Sequence, residues 1–217
     1  MAIKLIMFDY DGVLVDSLSV VLAIYKKIGN EFNVSVFKNI KDGDFFDLNW
    51  KNSLKKAGII NDKDIKNYER FFKKEIIRLN QQITPFPNIK EAIKFLGKNH
   101  KLAVVSNNCS GFIKEKLKKH GLLHYFSAII GAEHGPLKPK PDLLNLCMQK
   151  MNVKEQEAVY IGDMKGDITA AKKAKVMFIG TSYGYHSKHK LKGADVVIDT
   201  PKKLLQPIML KNGRRLL

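Results

Sequence analysis

Lys4-Leu5-Ile6-Met7-Phe8-Asp9-Tyr10-Asp11-Gly12-Val13-Leu14-Val15-Asp16-Ser17 is the stretch on which the reading of this chain turns. Leu5 to Phe8 is an unbroken apolar run of strand length, the pattern of a strand buried on both faces of a sheet. It breaks at once into Asp9-Tyr10-Asp11-Gly12. A buried parallel strand delivers the residues after it to the carboxyl edge of the sheet, where ligands bind in open α/β folds. Two carboxylates at such a strand end are costly unless something pairs with them. Hard carboxylate oxygens suit magnesium. A solvated loop with an Asp-Gly turn carries the same residues, so the decision falls to the rest of the chain.

Residues 18–32 place Leu18, Val21, Leu22, Ile24, Tyr25, Ile28 and Phe32 at helical spacing, with Asp16 or Ser17 as N-cap. Residues 33–47 look irregular, with a turn at Asp42-Gly43. Residues 48–57 read as a short helix stopped by Gly58. A longer one, capped by Asn61 or Asp62, runs to Leu79. Thr84-Pro85-Phe86-Pro87 ends helical structure. An all-helical segment, 18–83, therefore interrupts the chain after the first strand. Beyond it the pattern alternates. Helices are expected at 88–98, from Ser110 as cap to 120, at 141–151, at 167–174 and from Pro201. Strands are expected at 102–105, 127–130, 158–161, 176–179 and 196–198, and fraying from Lys211 to Leu217. Such alternation implies a doubly wound, mostly parallel α/β sheet. The division is a core of 1–17 and 84–217 with a helical cap domain of 18–83.

The 217 residues suffice for one large domain or a core with an insert, and 45% are hydrophobic, as in ordinary globular proteins. No apolar run approaches the ~20 residues of a membrane span, and no signal-type segment opens the chain. A cytoplasmic protein is expected, without membrane contact. Cys109 and Cys147 lie outside any CxxC pair and read as free thiols, Cys109 as a packing thiol. His100, His120, His124 and His134 show no metal spacing and read as surface or loop residues. The formal charge of +17 raises the question of nucleic acid. The lysines are scattered, however, and no basic cluster alternates with aromatics, so no nucleic-acid partner is expected. A positive surface of this kind steers phosphorylated anions.

The strand ends share one chemistry. The first supplies Asp9 and Asp11, the second Ser106 and Asn107, the loop beyond the third Lys138, and the fourth Gly162, Asp163 and, four residues on, Asp167. In a doubly wound sheet these meet on one rim. Carboxylates for a metal, a hydroxyl, an amide and one ammonium are what is needed to grip a phosphoryl group. Asp9 is the candidate nucleophile, forming an acyl phosphate that water cleaves. Asp11 is the candidate general acid and base. Ser106, backbone amides and Lys138 supply fixed donors to the transferring group.

These segments resemble the four motifs of the haloacid dehalogenase-like superfamily. Asp9-Tyr10-Asp11-Gly12-Val13-Leu14-Val15-Asp16-Ser17 is similar to its first motif and Val104-Val105-Ser106-Asn107 to its second. Lys138-Pro139-Lys140-Pro141 is similar to its third, and Gly162-Asp163-Met164-Lys165-Gly166-Asp167 to its fourth, all in order. The resemblance implies a Rossmann-like core in which Asp9 is the nucleophile. It makes Asp11 the acid/base of the phosphatase branches, a residue absent from dehalogenases and ion-pumping ATPases. It assigns Mg²⁺ to Asp9, the backbone carbonyl of Asp11, and Asp163, with Asp167 assisting in the metal shell, and phosphate to Ser106, Asn107 and Lys138. The helical insert is similar to the family's cap. Gly180-Thr181-Ser182-Tyr183-Gly184-Tyr185 and residues 193–199 resemble its phosphoglycolate phosphatase-like branch. Tyr10, Val13 and Lys175 depart from the pattern, the last standing where a glycine usually ends the fourth helix.

The expected function is thus a Mg²⁺-dependent phosphatase of a small phosphorylated metabolite, as monomer or homodimer. A mutase of the β-phosphoglucomutase type shares the first half-reaction, but residues 35–60 hold no arginine of the kind that its cap signature contains. A phospho-accepting receiver would be shorter and lack the insert, and a nucleic-acid-binding protein would release no phosphate. Tyr68, Phe71 and Phe72 read as cap core. Trp50 and Lys41 are cap residues placed where they could face substrate, and neither is counted among the site residues.

Overall fold

A computed structural model of the chain describes residues 2–213. β1 (Leu5–Phe8) forms where the apolar run predicts it, with all four side chains fully buried. Strand alternation sends Ile6 and Phe8 into one apolar cluster and Leu5 and Met7 into the other. Each buried side chain of this size stabilises by roughly 1.5–3 kcal/mol, so the strand is anchored from both faces.

The chain continues through β2 (Val15–Asp16), α1 (Leu18–Glu31), α2 (Ser35–Lys38), α3 (Trp50–Lys56), α4 (Asp62–Leu79) and β3 (Thr84–Pro85). Then α5 (Ile89–Leu96), β4 (Lys101–Val105), α6 (Ser110–Lys119), β5 (Ala128–Ile130), α7 (Asp142–Met151) and β6 (Ala158–Gly162) alternate. They are followed by α8 (Lys165–Lys173), β7 (Met177–Thr181), β8 (Val196–Ile198) and α9 (Leu205–Lys211). The main sheet runs β5-β4-β1-β6-β7-β8 with every neighbouring pair parallel. Helices α5, α6 and α9 cover the Ile6/Phe8 face, and α7 and α8 cover the Leu5/Met7 face. The sheet is doubly wound, as expected. The chain leaves β1 toward β4 and β5 and returns beyond it to β6, so β1 stands at the switch point where such sheets bind ligands.

The insert is helical, also as expected. α4 starts at its Asn61 cap, whose side-chain oxygen accepts from the Asp64 amide at 2.8 Å. Its apolar side meets α1 through Phe32 on Tyr68 and Tyr25 on Phe72. Buried Glu75 accepts from Lys27 of α1 at 2.7 Å. No helix among the described residues is long and apolar enough to cross a membrane.

Several local expectations are corrected. Residues 33–47 hold a short helix, α2, and a 3₁₀ turn at Gly43–Phe45. α3 begins two residues late, because Asn49 accepts from the Lys51 amide at 3.2 Å and caps it. Thr84 and Pro85 pair antiparallel with Asp16 and Val15, forming a two-stranded neck to the insert. Ser110 is the first residue of α6, not its cap, and its hydroxyl bonds Glu133. Cys109 is exposed, not packed, while Cys147 is buried. The fraying expected from Lys211 falls largely outside the described residues.

Lys175 ends α8 with φ +58°, a left-handed conformation in which Cβ is strained. Its amide donates to the Lys172 carbonyl at 3.1 Å and its side chain is exposed. Lys175→Gly is expected to stabilise by about 0.5–1 kcal/mol once glycine's greater unfolded-state entropy is subtracted. A raised urea midpoint with unchanged slope is the measurement; a lowered one would refute the strain.

Candidate active site

Asp9 follows β1, its amide donating to the Ile161 carbonyl of β6 at 2.8 Å. One carboxylate oxygen, Oδ1, accepts from the Tyr10 amide at 2.7 Å, and Oδ2 accepts from Lys138 Nζ at 2.7 Å. The Lys138 ammonium, wholly buried, also donates to Asp167 Oδ1 at 2.7 Å and meets the Tyr160 hydroxyl at 2.6 Å. An ammonium has three N–H bonds, and all three are used. Asp167 is just as fully engaged: Oδ1 also accepts from Tyr160 at 3.0 Å, and Oδ2 from the Met164 amide at 3.0 Å, which ties it to the start of α8.

Asp163 differs. Its Oδ2 accepts from the Tyr185 amide at 2.7 Å, but its buried Oδ1 has no hydrogen-bond partner. One oxygen each from Asp9, Asp163 and Asp167 lie within 4.8 Å of one another. Three carboxylates against one ammonium would leave two negative charges in a buried cluster, which one divalent cation balances. The donor set is all oxygen, which suits a hard cation. These residues therefore fit the metal that the sequence suggested; the Asp11 carboxylate is not in the group. Burial, only partly countered by Lys138, pushes the Asp9 carboxyl up to about 6. Burial, with Asp167 and Asp9 beside it, holds Asp163 well above the usual carboxylate range. For Lys138 burial opposes the charge, but Asp167 and Asp9 outweigh it and the group stays cationic.

The turn after Asp9 needs glycine. Gly12 has φ +71°, and a Cβ there would lie 1.9 Å from Asp163 Oδ2. Gly184 makes the matching approach from the loop after β7, where a Cβ would lie 2.3 Å from the Gly12 carbonyl oxygen. The two glycines let both loops close on Asp163.

Asp11 sits half-buried above this layer and accepts from Asn108 Nδ2 at 3.3 Å. Burial raises its pKa, offset in part by Ser17 and Asn108, a direction that suits a proton donor. Ser106 Oγ accepts from the Asn108 amide at 3.3 Å. Asn107 turns both ends of its amide to the Lys138 backbone: Nδ2 donates to the carbonyl at 3.1 Å and Oδ1 accepts from the N–H at 2.9 Å. Its side chain holds the Lys138 loop instead of reaching outward. Asp9, Asp11, Ser106 and Asn107 line one cavity of about 310 Å³ between the sheet edge and the insert. Lys138 and Asp167 lie in direct contact behind Asp9, beside Asp163.

Four further residues take part without having been singled out by their sequence. Asn108 adjoins Ser106 and Asn107 and could have been included with them. Tyr160 reads as one more apolar residue of a core strand. Tyr185 closes the Gly180-to-Tyr185 stretch, whose sequence carries the branch resemblance and no site role, and His186 follows it in the same loop. That loop also grips the insert. His186 Nδ1 accepts from the Lys165 amide at 2.9 Å, and Nε2 bonds the Phe46 carbonyl at 3.1 Å. Ser187 donates to Asp44 through its amide and its hydroxyl, both at 2.8 Å, and Lys190 bonds the Asp44 carbonyl.

The sequence matches the family model for haloacid dehalogenase-like hydrolases over residues 6–181. A phosphoglycolate phosphatase of Vibrio vulnificus is 34% identical over 129 residues, 58% of this chain and 57% of that protein. The match thus spans little more than half the length of that relative. A phosphoglycolate phosphatase of Vibrio cholerae is 28% identical over 225 residues, 96% of this chain and 98% of that one. A haloacid dehalogenase-like family hydrolase from Streptococcus pneumoniae has a TM-score of 0.78 at 20% identity, over 94% of this chain and 97% of that one. A predicted phosphoglycolate phosphatase from Haemophilus somnus has a TM-score of 0.77 at 24% identity, with the same coverage of 94% and 97%. At these identities the structural likeness shows a common fold.

Proposed function

Since the chain belongs to the haloacid dehalogenase-like hydrolase family, we propose that it is a magnesium-dependent phosphatase that hydrolyses a small phosphomonoester in the cytoplasm. The observation that carries this reading is the buried triad Asp9, Asp163 and Asp167, held against a single ammonium, with one Asp163 oxygen left without a partner. The relatives named phosphatases support it. Two free cysteines fit a reducing compartment. We take residues 18–83 as the cap and the remainder as the catalytic core.

Asp9, Asp163 and Asp167 would hold the cation, with Asp167 already committed to Lys138 and Tyr160. Bound there, a divalent ion supplies charge neutralisation beside the attacking carboxylate and an anchor for phosphoryl oxygens. The Asp9 carboxylate attacks phosphorus while the bond to the leaving oxygen breaks, and that oxygen takes the proton of Asp11. Water then attacks the aspartyl phosphate, gives a proton to Asp11 and frees inorganic phosphate. Ser106 and the amides around it bind the transferring group. Lys138 orients Asp9 and offsets its charge; with all three N–H bonds engaged, it reaches phosphate only by exchanging one partner. Asn107 positions Lys138.

The test is phosphate release from a panel of phosphomonoesters. Release is expected with Mg²⁺, none after EDTA, and full recovery on adding Mg²⁺ back. Turnover that persists in EDTA would overturn the metal assignment.

A further inference from the structure

Resting on that phosphatase reading, we infer that the alcohol part of the substrate is uncharged and carries an apolar, ring-sized body, so that phosphoglycolate is a poor substrate. The inference comes from the wall of the cavity above Asp9. Val21, Tyr25, Leu48, Trp50, Phe72 and Ile76 form its cap side. Among the described residues, no lysine, arginine or histidine lines it. Its charged groups are Asp9 and Asp11 on the floor and Asp47 on the cap side, all acids. The Asp47 carboxylate accepts from the Asn49 amide at 3.1 Å and has Lys56 only at 3.9 Å.

Two lysines stand near without lining this cavity: Lys73, which borders the adjoining space together with Glu69 and pairs with it at 2.9 Å, and Lys51, 5.8 Å over the Trp50 ring. An anionic alcohol such as glycolate would bring its carboxylate into an apolar wall, beside Asp11 and Asp47, with no cation to meet it. A charge set against apolar side chains and like charges, with no partner to meet it, is disfavoured there. The positive surface does not correct this. It draws phosphate esters in from the outside, the more highly charged 2-phosphoglycolate most strongly, and discrimination at contact is left to the wall.

Size agrees with charge. The cavity of about 310 Å³ adjoins a second space of about 300 Å³, and Tyr25, Trp50, Phe72 and Ile76 border both. Cavities of 300 Å³ and above enclose drug-sized ligands. A two-carbon alcohol would leave the aromatic wall bare. A ring would lie against Trp50 and Phe72 and bury their faces.

The chain has one tryptophan, so the wall carries its own reporter. The experiment compares benzyl phosphate, ethyl phosphate and 2-phosphoglycolate, three esters of alcohols with similar intrinsic leaving ability, in Mg²⁺. Turnover is measured on wild type, and Trp50 emission on Asp9→Asn. Expected is a kcat/KM for benzyl phosphate about a hundredfold above that for 2-phosphoglycolate, with ethyl phosphate between. Benzyl phosphate should also shift Trp50 emission saturably at concentrations where 2-phosphoglycolate leaves it unchanged. Trp50→Ala should lower kcat/KM for benzyl phosphate about tenfold, a larger loss than it causes for ethyl phosphate. A preference for 2-phosphoglycolate, in turnover or in binding, overturns the inference and leaves the phosphatase reading intact. No release from any ester, with benzyl phosphate still shifting Trp50, overturns the phosphatase reading and supports the apolar subsite.

Discussion

Asp9→Asn is expected to lower phosphate release by a factor on the order of 10⁴ or more, to below detection in an ordinary assay. The amide is nearly isosteric and can still accept from the Tyr10 amide, which in the native protein bonds Asp9 Oδ1 at 2.7 Å. The fold should therefore persist. What disappears is the charge on the attacking oxygen and one of three anionic groups in the triad. Circular dichroism and melting should be close to wild type. Retained turnover would remove Asp9 as nucleophile and, with it, the covalent route.

Lys138→Met should produce the largest loss of stability. It removes the ammonium and leaves Asp9, Asp167 and Tyr160 facing one another in a buried space. Breaking a buried ion pair from one side costs about 3–5 kcal/mol. For a chain of this length that lowers Tm by about 10 °C. The deficit should be larger in EDTA than in Mg²⁺. In EDTA it should also shrink with acidity. Burial holds the Asp9 carboxyl up at about 6, above the ordinary 3.8, so the stability this group contributes is lost as pH rises from 3.8 to about 6. Without Lys138 the group moves further up, and the destabilisation recedes as pH falls below that point. A variant as stable as wild type at pH 7.5 in EDTA would show that the carboxylates do not depend on this cation. Activity should fall with stability, because Asp9 loses the partner that orients Oδ2.

The parts of this site that are legible in the sequence are the strand ends. A run such as Leu5–Phe8 announces a buried strand, and the polar residues after it have one place to go, the sheet edge. Asp9, Asp11, Ser106 and Asp163 are visible for that reason. Tyr160 is not, because a tyrosine in a core strand reads as apolar whichever way its hydroxyl points; here it reaches Lys138 and Asp167. Asn107 shows a polar group at the right edge but not that both ends of its amide are taken by the Lys138 backbone. Ser110 has the chemistry of a cap, yet Glu133, 23 residues away, claims its hydroxyl. The neck of Val15–Asp16 and Thr84–Pro85 is too short for any periodicity. The grip of Ser187 on Asp44 spans 143 residues, a distance at which no local pattern speaks.

That grip gives the roof over Asp9 two moorings of unlike kind. At one end it hangs from the peptide chain itself, through the paired strands of the neck. At the other it is tied by hydrogen bonds to Asp44 and Phe46, made by residues 143 and 140 positions away. The enclosure above Asp9 thus depends on both the continuous peptide of the neck and a knot between distant stretches of chain, so a substitution at Asp44 reaches the cavity without touching its floor.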